Sequence, residues 1–242
     1  MKIGGLQKLT IIDYPGKIAA TVFTVGCNFS CPFCHNPELV DSLKIKKQPL
    51  ISDEDIFDFL KRRQGILEGI CITGGEPVLH QDLPKFIKKI KDLGFSVKLD
   101  TNGSNPEILK KLIREKLVDY FAMDIKGSLE KYQQIIRKKI DLEKIKKSVE
   151  LIKDSGVDYE FRTTIVPGIH TKEDIVKIAE WLGRPTRLRQ GFGGRGKYFL
   201  QNFRPGKTLE PSFEKEKAYS SEELIEICRI IRPYFDYCGI RE

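Results

Sequence analysis

The 242-residue chain is 40% hydrophobic and 31% charged, with a net charge of +8 and six cysteines. No run of about 18 apolar residues is present, so no transmembrane helix is expected, and "MKIGGLQKLTIIDYPGK" lacks the apolar stretch and cleavage site of a signal peptide. A cytoplasmic protein is expected, where clustered cysteines serve metals or chemistry rather than disulfides; its lysines are scattered over helical segments, which suits an acidic protein partner better than nucleic acid.

In chain order, "IAATVFTV" (18–25) predicts a strand leading into a cysteine-rich loop. "ISDEDIFDFLKRRQ" (51–64) predicts a helix with Ser52 as N-cap and an apolar stripe of Ile56, Phe59 and Leu60. "GICITGGEP" (69–77) is a strand ending in a glycine turn, and "DLPKFIKKIKDLG" (82–94) a helix closed by Gly94. "FSVKLDTNG" (95–103) is a strand and "NPEILKKLIREKL" (105–117) a helix with Pro106 in its first turn. The alternation continues through strand 119–127, helix 141–156, strand 158–168, helix 171–183, strand 197–206 and helix 221–235.

Six strand–helix units with no clear linker predict a single domain over 1–242, with parallel βα connections. An open or partial (β/α) barrel and a doubly wound sheet both fit. Polar residues at the ends of successive strands favour the barrel, because βα barrels build their sites at that rim. These ends are the cysteines, "TGGEP", "DTNG", "MDIKG", "RTTIVPG" and "QNFRPG".

Cys27, Cys31 and Cys34 sit in one short loop, "GCNFSCPFCHNPE". Three thiolates leave one coordination position of a metal centre without a protein ligand. For zinc that pattern means a catalytic site; for a 4Fe–4S cluster it means one open iron, unlike the four-cysteine ferredoxin sites. Recruiting His35 as a fourth zinc ligand is geometrically poor, because it adjoins Cys34.

"CNFSCPFC" resembles the C-x3-C-x-aromatic-C signature of the radical S-adenosylmethionine (SAM) superfamily, with Phe33 at the aromatic position. "GGLQKLTIIDYPGKIAATVFTVGCNFSCPFCHNPELV" further resembles the start of the glycyl-radical enzyme activating family. "TGGEP", "DTNGSNP", "DYFAMDIKG" and "FRTTIVPG" follow in that family's order. The resemblance covers roughly 3–183 and 197–240 and implies a partial (β/α)6 TIM-like barrel of the radical SAM type. The implied metal ligands are Cys27, Cys31 and Cys34, and the implied cofactors are a 4Fe–4S cluster and S-adenosylmethionine.

The same resemblance implies that Gly74, Gly75 and Glu76 meet the methionine end of SAM, the glycines by removing side chains from the approach. Asp124 and Lys126, two apart and on one face, would line the SAM site with Asp100 and Asn102 near them. Arg162 would contact the SAM carboxylate, with an ion pair to a rim carboxylate as the simpler reading. Phe33, His35, Asn36 and 166–168 would flank the adenine. The implied partners are a glycyl-radical enzyme, first an anaerobic ribonucleotide reductase and next a pyruvate formate-lyase-type enzyme, and a reduced flavodoxin or ferredoxin-type electron donor. The alternatives are a small radical SAM enzyme acting on a nucleotide or other small molecule, and a metal-binding module.

Cys71 reads as a small core residue. Cys228 and Cys238 are too few for an auxiliary cluster, and His80 and His170 read as surface loop residues. "RPTRLRQGFGGRG" departs from the family, and the 184–196 segment reads as a surface insertion.

Overall fold

The computed structural model describes residues 1–47, 49–183 and 196–241. Eight strands form one open sheet in chain order: β1 (Ile3–Thr10), β2 (Ala19–Thr24), β3 (Gly69–Gly74), β4 (Ser96–Thr101), β5 (Tyr120–Asp124), β6 (Asp158–Ile165), β7 (Gly196–Asn202) and β8 (Tyr237–Arg241). β1 runs antiparallel to β2, and every later pair is parallel. The six expected strands are β2 to β7. The sheet is extended by β1 and β8, which the sequence reading did not include. Most of the 184–196 segment lies outside the described residues; only Gly196 is seen, as the first residue of β7.

Helices fill the crossovers. After the cysteine loop come two short turns, α1 (Pro37–Val40) and α2 (Ser42–Ile45), and then α3 (Asp53–Lys61). The others are α4 (Leu83–Asp92), α5 (Pro106–Arg114), α6 (Tyr132–Ile136), α7 (Leu142–Lys153), α8 (Lys172–Leu182) and α9 (Ser221–Ile231). Ser52 caps α3 as its sequence predicts, accepting a hydrogen bond from the Asp55 amide at 3.1 Å. On α4 the buried Leu83, Phe86, Ile87 and Ile90 recur at helical spacing, while its lysines take the other face. Each such buried side chain contributes about 1.5–3 kcal/mol. The central strands are covered on both faces, so Ile70, Cys71 and Ile72 on β3 are buried in succession. Among the described residues, no helix is long and apolar enough to cross a membrane.

Because β2 to β7 are parallel, their C-terminal ends all lie on one side of the sheet. That topology brings together residues far apart in sequence.

Candidate active site

The loop between β2 and α1 carries the three cysteines. Backbone hydrogen bonds fix it from several directions: Gly26 N–H to the Leu39 carbonyl (2.7 Å), Ser30 N–H to Ile136 (2.9 Å), and Leu209 N–H to Cys34 (2.9 Å). Within the loop, the Cys34 amide donates to the Cys31 carbonyl at 3.1 Å.

The glycines of "TGGE" lock this loop to β3. Gly75 N–H donates to the Thr24 carbonyl (2.8 Å) and Glu76 N–H to the Gly26 carbonyl (2.7 Å). A Cβ on Gly75 would fall 2.1 Å from the Gly26 oxygen, and one on Gly74, whose φ is +117°, would fall 2.4 Å from the Thr24 nitrogen. The sequence reading assigns these glycines to the approach of SAM; in the structure the close approach they permit is between two stretches of backbone. The backbone that approaches is the start of the cysteine loop.

Cys27, Cys31 and Cys34 line a cavity of about 400 Å³, across which lie Glu76, Asp100, Asn102, Asp124, Lys126 and Arg162. The β-strand ends thus gather the predicted site residues from five strands and the loops after them. Among the described residues, no three His, Cys, Asp or Glu side chains are placed to hold a single metal ion. The thiols instead border a space large enough for a bigger group. Burial, with the Glu76 carboxylate nearby, pushes the Cys27 thiol up to about 12. Burial likewise lifts Cys31 to about 11 and raises Cys34. Bare thiols here stay protonated at neutral pH, so a cationic metal centre is what would hold them as thiolates. Three soft donors on one wall of a roomy cavity fit an iron–sulfur cluster.

Glu76 is 1% exposed. It accepts from Thr101 Oγ1 (2.7 Å), the Asn102 amide (2.6 Å) and the Val78 amide (3.2 Å). Burial outweighs these bonds and lifts its carboxyl to about 7. The Asn102 side chain donates to Asn28 Oδ1 at 3.0 Å, tying the end of β4 to the cysteine loop.

An ionic chain crosses the floor. Arg162 donates from Nε to Asp124 (2.5 Å) and from Nη2 to Asp100 (2.9 Å), while Lys126 donates to the other Asp124 oxygen (3.1 Å). Burial works against Asp124, yet the charges of Arg162 and Lys126 hold it below the usual carboxylate range. Asp100 is also held low against burial by Arg162 and Lys98. The ion-pair reading of Arg162 is therefore what the structure shows.

Sequence reasoning missed the second half of this chain. Lys98, 2% exposed, pairs with Asp100. Fully buried Glu160 takes a bidentate contact from Arg241 of β8, both bonds 2.7 Å, and a hydrogen bond from Tyr120 Oη at 2.9 Å. Lys98 and Asp100 alternate along β4, a spacing that could have flagged the pair. The Glu160–Arg241 contact spans 81 residues and leaves no local signal.

His170 is a correction: it is 1% exposed, not on the surface. Its Nδ1 accepts from the Val166 amide (3.1 Å), and Nε2 lies 2.9 Å from the Lys126 carbonyl. It ties the ends of β5 and β6 together, and Phe33 meets its ring edge-on at 6.0 Å. His80 is half-buried, with Nε2 3.1 Å from the Val25 carbonyl. His35 stacks on Phe203, with ring centroids 5.4 Å apart. Cys71 is fully buried, as expected, but it also lines the site cavity, its thiol 3.7 Å from Asp100 Oδ1.

Residues 21–182 match the Radical SAM superfamily. A Methanocaldococcus jannaschii protein that carries the name of a glycyl-radical enzyme activating enzyme is 36% identical over 99% of this chain and 95% of its own length. The chain belongs to the radical SAM superfamily, among its glycyl-radical enzyme activating members. It is also similar to the pyruvate formate-lyase-activating enzyme of Listeria monocytogenes, 27% identical over 78% of this chain and 79% of that protein. In fold it resembles Streptococcus suis SuiB, at a TM-score of 0.66 and 12% identity over 90% of this chain and 47% of that one. The chain thus spans about half the length of that structure. As a radical SAM enzyme its cofactors are a 4Fe–4S cluster and S-adenosylmethionine, consistent with the three thiols on the cavity wall.

Proposed function

We propose that this cytoplasmic radical SAM enzyme installs a glycyl radical on an anaerobic ribonucleoside-triphosphate reductase. The observation that carries the reading is the three-cysteine wall facing an ion-paired, polar cavity. A cluster held by Cys27, Cys31 and Cys34 would supply the one-electron reduction that SAM cleavage needs, the source of the radical chemistry on the partner's glycine.

The chain's own residues hold and orient. Cys27, Cys31 and Cys34 would hold the cluster against the cavity wall they share. Glu76 would receive the SAM ammonium, whose positive charge favours the ionised form of a carboxyl that burial lifts to about 7. Lys126 and Arg162 meet its carboxylate, and Asp124, with Asp100 and Asn102 beside it, faces the ribose. Phe33, His35, Asn36 and the 166–168 turn border the adenine. Arg162 is shared between SAM and the carboxylates that position it, which suits a planar, five-donor group.

The cavity adjoins a second space of about 650 Å³ bordered by Ile12, Asp13, Arg204 and Arg241. Both spaces share Asp13, His35, Asp100, Arg162 and Gln201. This opening gives a protein loop a route to the reacting carbon. The likeness to proteins named as activating enzymes supports a glycyl-radical partner. The likeness to a pyruvate formate-lyase-activating enzyme supports a lyase of that type as the second reading. A reduced flavodoxin or ferredoxin supplies the electron. The test is anaerobic incubation of reconstituted enzyme, SAM and reductant with each candidate partner in turn. A glycyl radical signal on the reductase is expected; a signal on the lyase alone would move the assignment to the second reading.

A further inference from the structure

Two cysteines outside the site lie in contact. Cys228 is on α9 and Cys238 on β8, and their sulfurs are 2.8 Å apart. Both are half-buried free thiols. The separation is shorter than the roughly 3.5–4.0 Å at which non-bonded heavy atoms usually rest. Nothing stands between them, and a small closing movement reaches a disulfide bond of about 2.05 Å.

Their position gives such a bond a purpose. β8 is a five-residue strand at the edge of the sheet, hydrogen-bonded on one side only, to β7. α9 is the better anchored element, with Leu224, Ile227 and Ile231 in the core. Three residues past Cys238, Arg241 reaches across to the fully buried Glu160. A covalent tie at Cys238 would therefore secure the strand that neutralises Glu160.

We propose that Cys228 and Cys238 are an oxidisable pair whose disulfide staples the edge strand β8 to α9. The oxidant is a small-molecule disulfide such as oxidised glutathione. The Cys228 thiolate attacks it, breaking its S–S bond and releasing one small thiol. The Cys238 thiolate then attacks the mixed disulfide at Cys228, forming the intrachain bond and releasing the second small thiol. The protein pair gives up two electrons to the oxidant, and the two cysteine protons end on the released thiols. Burial, with Cys228 alongside, raises the Cys238 thiol, and the two steps balance equally with the two residues exchanged. In a reducing cell the pair rests as thiols, and it closes as the surroundings become oxidising.

The test uses anaerobic holoenzyme equilibrated with mixtures of reduced and oxidised glutathione, quenched in acid and alkylated. Trypsin separates the two cysteines into peptides 218–229 and 230–241. Oxidation should yield these peptides linked, two mass units below the sum of their reduced forms and parted by reductant. The thermal midpoint should rise by about 5–10 °C on oxidation, with no rise in Cys228→Ser or Cys238→Ser. Full alkylation of both residues at every glutathione ratio would overturn the proposal. So would glutathione adducts on each residue without a link.

Discussion

Glu76 offers a direct reading of how burial sets the chemistry of this site. Its carboxyl rises from the usual 4.5 to about 7 because burial outweighs three accepted hydrogen bonds. Between those two values the folded chain holds more protons at Glu76 than the unfolded chain, so the stability this group contributes is fully present below pH 4.5 and is lost as the pH climbs through 7. At about 1.4 kcal/mol per pH unit, that interval amounts to a loss of about 3 kcal/mol. Glu76→Gln keeps the side chain's size and removes the titration. Urea unfolding of cluster-free wild-type and variant protein from pH 4.5 to 8.5 isolates the effect, since His80, His170 and the other titrating groups are common to both. The stability difference should swing by about 3 kcal/mol toward the variant as the pH rises. Curves that stay parallel across the range would refute the burial argument and place Glu76 at an ordinary carboxylate value.

Other perturbations probe the rest of the architecture. Cys31→Ala should abolish iron retention after anaerobic reconstitution, while Cys71→Ala, on the cavity floor beside Asp100 and outside the cysteine loop, should retain it; iron analysis and visible absorbance report both. Gly75→Ala drives a Cβ to within 2.1 Å of the Gly26 oxygen, so it should displace the cysteine loop and lower the iron bound per chain. His170→Ala strips partners from the Val166 amide and the Lys126 carbonyl, at about 2–5 kcal/mol by denaturant unfolding. Arg241→Met leaves Glu160 without its bidentate partner but with Tyr120 and Arg162 still beside it, and should cost about 1–3 kcal/mol. Adding Glu160→Gln should recover much of that loss.

The parts of the molecule built from local pattern were legible in the sequence. Six βα units, the Ser52 cap and the gathering of polar strand ends follow from periodicity, capping chemistry and parallel topology. β1 escaped notice because "IGGLQKLT" opens with glycines and has three consecutive exposed residues, which blurs the alternation that marks a strand. β8 is too short for its pattern to stand out from the turn before it. The site divides in the same way. The cysteines declare themselves by spacing, whereas Glu76 and the Asp124–Lys126 pair are expected from the family resemblance. His170 looked like a turn residue because its role is to receive and supply backbone hydrogen bonds between two distant strand ends. Lys98 and Glu160 are not singled out by the sequence reading, because the partners that make their burial tolerable, Asp100 for one and Arg241 for the other, show only in the folded chain. The family resemblance assigns Gly74 and Gly75 to the approach of SAM, and their packing against the Thr24 and Gly26 backbone, a contact distant in sequence, leaves no local signal.

Hydrogen transfer from the partner's glycine is the central claim, and isotopic labelling tests it most directly. The partner reductase is prepared with deuterated glycine and incubated anaerobically with reconstituted enzyme, SAM and reductant. The account predicts 5′-deoxyadenosine carrying one deuterium, in step with the rise of a glycyl radical signal on the partner. SAM cleavage that yields only unlabelled 5′-deoxyadenosine, with no radical on the reductase, would contradict it.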